Sequence, residues 1–204
     1  MSLPAHTQKA AAPVVGFLLP GSAAQWAPYV AAFRLGLNDP GYIDGKNIVI
    51  EFRWADGQYD RLPALAADLL RRQVDVVVAT GGPPAAQVAN AATSTTPIVF
   101  ITGSDPVEYR LVASLGHPGG DATGVTLFTV DLAAKRTELL QELLPRVTEI
   151  ALISNPNNPY AESEMRMVQE VAQSFGQHLY FLKAGTAEEI DLDPDLGNSG
   201  TTTS

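Results

Sequence analysis

The chain has 204 residues, 46% of them hydrophobic, which suits one or two folded domains with a sizeable core rather than a disordered polypeptide. Its formal net charge is −9 and its basic residues form no patch, so nucleic acid is excluded as a partner. The absence of cysteine rules out disulfides, thiolate metal sites and cysteine nucleophiles, and no apolar run reaches the roughly 18 residues of a membrane span.

Strand and helix patterns alternate along the chain. Val14 to Leu19 is a continuous apolar run, the signature of a strand buried on both faces. From Gln25 to Asn38, Trp26, Val30, Phe33 and Leu37 recur at helical spacing and predict one face packed on a sheet. Asn47 to Trp54 alternates, with Ile48, Ile50 and Phe52 on one side and Val49, Glu51 and Arg53 on the other. A helix over 60–72 follows, with Leu62, Leu65, Ala66 and Leu69 on its apolar face. Next come a strand at 75–80, a helix at 83–92, a strand at 97–102 and a short helix after Asp105-Pro106. Gly116 to Gly124 is a glycine-rich break.

Beyond the break the pattern predicts a strand at 123–128, then a helix at 132–144 that is amphipathic through Leu132, Leu139, Leu140 and Leu143. A strand at 149–154, a helix at 161–175 and a strand at 178–183 follow. Alternation of this kind implies right-handed crossovers and parallel sheets. The expected organisation is α/β, with an N-terminal lobe at 13–122, a partial second lobe at 123–186 and a disordered acidic, Gly/Ser/Thr-rich tail at 187–204.

Ligands of open parallel sheets bind beyond the carboxyl ends of the strands. The segments there are Pro20-Gly21-Ser22, Thr80-Gly81-Gly82-Pro83-Pro84, Thr102-Gly103-Ser104-Asp105-Pro106 and Asn155-Pro156-Asn157-Asn158. They are small, polar and almost uncharged. Neither dinucleotide-binding nor P-loop spacing occurs. At the Gly81-Gly82 corner the two prolines remove donors, which leaves Gly81, Gly82, Ala85, Ala86 and the Thr80 hydroxyl. That set suits a compact carboxylate, and it equally suits a plain turn with proline in the first helical turn. Asp105 reads as a helix N-cap, and Asn155 and Asn158 as turn and cap residues. Trp26 and Tyr29 offer rings for stacking on a ligand, but Trp26 lies on the core stripe of its helix, which favours the core; Trp54 and Tyr59 flank a strand end, at the surface or the rim. His6, His117 and His178 lie far apart, with no metal-ligand spacing. No nucleophile–base pair or cofactor motif is evident, so catalysis is not expected.

Taken in order, several segments carry a resemblance. They include Val15-Gly16-Phe17-Leu18-Leu19-Pro20-Gly21-Ser22, then Gly41-Tyr42-Ile43-Asp44-Gly45-Lys46-Asn47-Ile48 through Trp54, Tyr59-Asp60-Arg61-Leu62-Pro63, Asp105-Pro106-Val107 and Pro118-Gly119-Gly120-Asp121-Ala122-Thr123-Gly124. From about residue 13 to 190 the chain resembles ABC-transporter solute-binding proteins of the tryptophan/tyrosine-binding type. The resemblance implies a type I periplasmic-binding fold, in which two Rossmann-like lobes close over a solute. It matches Thr80, Gly81 and Ala85 to a small-residue corner for a ligand carboxylate, and Ser22, Asp105 and Asn155 to cleft-facing positions. It further implies an amino-acid-like solute, an ABC permease as partner, no cofactor, and a periplasmic or extracytoplasmic location. The start MSLPAHTQKAAAP has no apolar core of signal-peptide length, which fits either a cytosolic protein or a removed leader with Met1-Ser2-Leu3 a cloning remnant; the resemblance favours the removed leader. With three strands after the break the second lobe is expected to be truncated, and a homodimer could cover its edge. A sensor domain of the same fold and a small α/β enzyme are the rival readings.

Overall fold

The computed structural model describes residues 12–129 and 132–191. Its first sheet is built around β1 (Val14–Leu19), with β2 (Val49–Trp54) on one side and β3 (Val76–Thr80), β4 (Ile98–Thr102) and β5 (Ala122–Thr126) on the other. All neighbours are parallel, in the order β2-β1-β3-β4-β5. β1 is apolar throughout because both faces of it are covered. Val15, Phe17 and Leu19 join Ile48, Ile50 and Val78 in one cluster, against which Trp26, Phe33 and Leu37 of α1 (Ala23–Asn38) pack. Leu18 points the other way, into a cluster with Leu62, Ala66 and Leu69 of α2 (Leu62–Arg71) and Ala85, Ala86 and Ala89 of α3 (Pro83–Ala92). Gly16 is glycine because a Cβ there would lie 3.1 Å from both Leu69 methyls and 3.2 Å from Val74. Phe17 meets Phe33 edge-on at 4.9 Å, a geometry that adds to simple burial.

On the flank of β2, Arg53 bonds Asp68 and Glu51, and Arg72 reaches both carboxylates. The Arg53 guanidinium holds the Asp68 carboxyl below the ordinary carboxylate range, with Arg71 assisting.

The sheet moves one predicted boundary. The strand after the glycine break was expected to open the second lobe, yet β5 pairs with β4 from Ile98↔Ala122 to Thr102↔Thr126 and forms the edge of the first sheet. Gly116–Gly124 is therefore a connection within the first lobe. Gly124 is required where it stands, because a Cβ would run into the Phe100 carbonyl oxygen and within 2.6–2.7 Å of the Phe100 ring. Bonds from Leu127 N to the Thr102 carbonyl and from Thr126 Oγ1 to the Ser104 carbonyl fasten the strand end, so the chain leaves this lobe after Thr126. No helix follows Asp105 either: the segment forms turns, with Val107 N donating to Asp105 Oδ1 at 2.8 Å.

The second lobe holds α4 (Ala133–Leu143), β6 (Glu149–Ser154), α5 (Ala161–Ser174), β7 (His178–Lys183) and a short α6 (Ala187–Asp191). β6 and β7 form a parallel pair in full register, two strands rather than three. Neither contains a fully buried residue. Ala172 of α5 is buried, but the predicted inward stripe of α4 is not: Leu132, Leu139 and Leu143 stand exposed. Helical periodicity marks an apolar face, whereas burial also needs a surface to receive it. The predicted tail begins as a helix over 187–191; residues 192–204 lie outside the described residues, as do the start at Met1 and His6.

Candidate functional site

The strand order reverses at β1, where β2 lies on one side and β3 on the other. The loops after β1 and β3 thus emerge side by side, and this topological switch point is where open α/β sheets bind ligands. Pro20, Gly21 and Ser22 come from the first loop and Gly81 from the second. The chain after β2 is tied to the same spot, since Asp56 N donates to the Gly21 carbonyl and Gly57 N to the Pro20 carbonyl at 2.7 Å. Asn155 after β6, with Gly185 and Thr186 after β7, faces these loops from the second lobe. Between them lies a cavity of about 500 Å³.

Each wall has a local cause. Ser22 caps α1: its hydroxyl accepts from Gln25 N at 3.4 Å and its own N–H donates to Gln25 Oε1 at 3.2 Å. The Ser22 O–H proton stays available to an oxygen in the cavity. Gly81 has φ +88° and Gly82, the cap of α3, has φ +109°, backbone conformations that L side chains rarely adopt. At Gly81 a Cβ would lie 2.6 Å from Pro20 Cδ and 3.3 Å from Trp26 Cζ2. The indole edge also leans over Gly21, with Cδ1 2.7 Å from where a Cβ would stand. Trp26 therefore serves twice, packing on the α1 face of the sheet and walling the cavity.

Of the residues singled out in the sequence, Ser22, Gly81 and Asn155 meet in this cavity. Thr80 is buried beneath the corner. Ala85 is wholly buried in the core, on the face of α3 that packs against the sheet. Asp105 does not line the cavity; one of its carboxylate oxygens is used by its own turn. Asn155 Oδ1 accepts from Asn157 N at 2.9 Å, which leaves its amide N–H groups for the cavity. Tyr59 lines the rim, and Gln25, Asp56, Thr186 and Glu188, which were not singled out, also contribute. Thr186-Ala187-Glu188-Glu189 carries the Thr-x-x-Glu spacing of a helix start, and Glu189 N donates to Thr186 Oγ1 at 3.2 Å.

Among the described residues, the lining contains two carboxylates, Asp56 and Glu188, and no lysine or arginine. Arg61 lies outside it and pairs with Asp56 at 3.1 Å. Anionic groups in the cavity would meet N–H and O–H dipoles, while a cationic group would meet Glu188. Burial pushes the Tyr59 hydroxyl above its ordinary pKa, and the nearby Glu164 carboxylate pushes it further. The described residues hold no His/Cys/Asp/Glu group suited to a metal ion, and none of their helices is long and apolar enough to cross a membrane.

Two α/β lobes with a cavity between the ends of their parallel strands define a type I periplasmic-binding architecture. The chain belongs to the ABC transporter substrate binding protein family, whose profile matches residues 26–193. That family consists of solute-binding proteins rather than enzymes. A tyrosine-binding protein of Clostridioides difficile is 29% identical over 160 residues, which is 78% of this chain and 45% of that protein. A conserved domain protein from Vibrio cholerae superposes with a TM-score of 0.74 at 27% identity, over 89% of this chain and 60% of the other. A Streptococcus protein domain in complex with L-Trp gives 0.73 at 23% identity, over 94% and 63%, and shows the shared fold. The chain thus spans about half to two thirds of the length of these relatives.

Proposed function

We propose that the chain is the solute-binding component of an ABC importer, holding an amino acid with an aromatic side chain between its lobes for delivery to a membrane permease on the extracytoplasmic side. The observation that carries this reading is the cavity at the switch point, with a glycine corner, a free serine hydroxyl and an indole wall on one lobe and Asn155 on the other. The solute carboxylate would take the Ser22 O–H and the main-chain corner at Gly81, with Thr80 and Ala85 supporting that corner from beneath. Its ring would lie against Trp26 and Tyr59, and its ammonium near Glu188. Asp105 would act through the loop after β4 rather than by touching the solute. Relatives that bind tyrosine and L-Trp support the class of solute. The mechanism is lobe closure, in which a bridging solute selects the closed state.

Calorimetric titration with L-tyrosine, L-tryptophan, their amides and their desamino acids tests the reading. The amino acids should bind, and the amides should bind far more weakly, since a hydrogen bond to a charged group contributes about 1.5–3 kcal/mol. Desamino acids that match the parent amino acids would remove Glu188 from the recognition of an ammonium. Equal affinity for acid and amide would sink the carboxylate corner.

A further inference from the structure

A second contact joins the lobes away from the cavity. Gln87 of α3 donates from Nε2 to the Tyr109 carbonyl at 3.0 Å, which fixes the orientation of its amide and turns Oε1 toward the second lobe. The Tyr160 hydroxyl donates to that Oε1. The ring of Tyr160 meets Tyr109 edge-on, with centroids 4.8 Å apart and planes at 86°. We propose that Gln87 and Tyr160 form a latch that sets the register in which the two lobes close, and so act as positioning residues for solute binding without touching the solute. The proposal rests on the solute-binding reading for its link to affinity; the latch itself can be tested with no solute present.

Both halves of the latch are mechanically joined to the cavity. Gln87 lies in the second turn of the helix that Gly82 caps, next to Gly81 in the cavity wall. Tyr160 ends the loop that begins at Asn155, the second lobe's contribution to the same cavity. That loop is held as a unit, because Asn155 Oδ1 accepts from Asn157 N and Asn158 Oδ1 accepts from Tyr160 N at 3.1 Å. Moving Tyr160 away from Gln87 therefore carries Asn155 away from Gly81. One turn further along α5, Glu164 is close enough to raise the pKa of Tyr59 in the first lobe, so the start of this helix faces that lobe over more than one residue. A half-buried bond between neutral groups suits a latch better than a permanent joint. Its two partners regain water when it opens, and its net worth is about a two- to tenfold bias of the closed over the open state.

The absence of cysteine makes the test direct. Leu35→Cys on α1 and Leu143→Cys on α4, both at exposed positions, carry spin labels on the two lobes of the 204-residue chain. Pulsed dipolar spectroscopy then reads the interlobe distance without solute, and calorimetry with L-tyrosine reads affinity. Tyr160→Phe removes one hydroxyl and keeps the ring contact, and Gln87→Leu removes the acceptor. Each should shift the unliganded population about two- to tenfold toward longer distances and weaken L-tyrosine binding by a similar factor. The double variant should be no worse than Gln87→Leu alone, which already removes the shared bond together with the Gln87 bond to the Tyr109 carbonyl. An unchanged distance distribution in Tyr160→Phe, or a double variant equal to the product of the singles, overturns the latch. A shifted distribution in a chain that does not bind L-tyrosine upholds the latch and removes that solute from the functional reading.

Discussion

Adding one methyl group at the glycine corner separates two kinds of cost. At Gly82 an alanine would keep φ +109° and ψ 177°, a region nearly reserved for glycine, but would meet only Pro84 Cδ at 3.6 Å, an ordinary contact. Gly82→Ala should therefore show the backbone term alone, about 1–3 kcal/mol. At Gly81 the methyl also lies 2.6 and 2.7 Å from two carbons of the Pro20 ring, which is closed and cannot swing aside. Overpacking of this kind costs a further ~1–3 kcal/mol. Gly81→Ala should thus total about 2–6 kcal/mol, against a typical domain stability of 5–15 kcal/mol, and the chain should still fold. With a shift of about 2–4 °C per kcal/mol for a chain of this size, the Tm of Gly81→Ala should lie roughly 2–12 °C below that of Gly82→Ala. Thermal unfolding followed by circular dichroism measures the difference. L-tyrosine affinity should fall in parallel, because the displaced Pro20 ring and the Trp26 edge both line the cavity. If the two variants melt together, the close packing of Pro20 on Gly81 is wrong and the corner is looser than described.

Leu69→Ala removes a fully buried side chain between α2 and β1 and should cost about 2–5 kcal/mol in denaturant unfolding, with exposed Leu139→Ala on α4 as a near-neutral control. Burial raises the Glu164 carboxyl above its ordinary pKa. Through the window between the ordinary and the raised value the native chain therefore binds more protons than the unfolded one, and stability falls as pH rises through it. That window should be visible in Tm against pH and absent in Glu164→Gln; the groups that feel this carboxyl from the first lobe are Tyr59 and Tyr109. Asp68 works in the opposite sense: its carboxyl is lowered chiefly by Arg53, so its contribution is present at neutral pH and lost as pH falls through the depressed value, and Asp68→Asn should flatten the acid limb of the same curve. Trp26→Leu should keep most packing on the α1 face yet reduce affinity for aromatic amino acids severalfold, as read by calorimetry.

Much of the first lobe was legible because its signals are local. A run such as Val76-Val77-Val78-Ala79 makes a strand with both faces covered, and Trp26, Val30, Phe33 and Leu37 land on one side of α1 as their spacing requires. The partner of β5 was not legible, because a glycine cluster marks a break without saying which edge the next strand will join; the register from Ile98↔Ala122 onward decides that. The leucines of α4 were misplaced for the same reason, since a stripe says nothing about what covers it. At the candidate site, the strand-end rule points to Ser22, Gly81 and Asn155, which the fold brings to one cavity. For Trp26 the stripe favours the core over stacking on a ligand, yet the first residue of a helical stripe can overhang the strand end and belong to both places. Ala85 shows the limit of counting donors at a helix start: its position supplies a free N–H on paper, but the residue lies wholly buried in the core.

The two sides of the cavity differ in how deeply their supporting strands are buried. Pro20, Ser22 and Gly81 hang from β1 and β3, strands sunk in a double core, whereas Asn155 and Gly185 hang from a strand pair in which no residue is fully buried. A solute would dock on a finished surface and finish the opposing one itself. Part of the binding free energy would then be consumed in ordering protein, and the heat-capacity change of association would exceed what the area of a small solute can explain. Amide hydrogen exchange along β6 and β7 would slow on saturation, while that of β1 and β3 would hardly change.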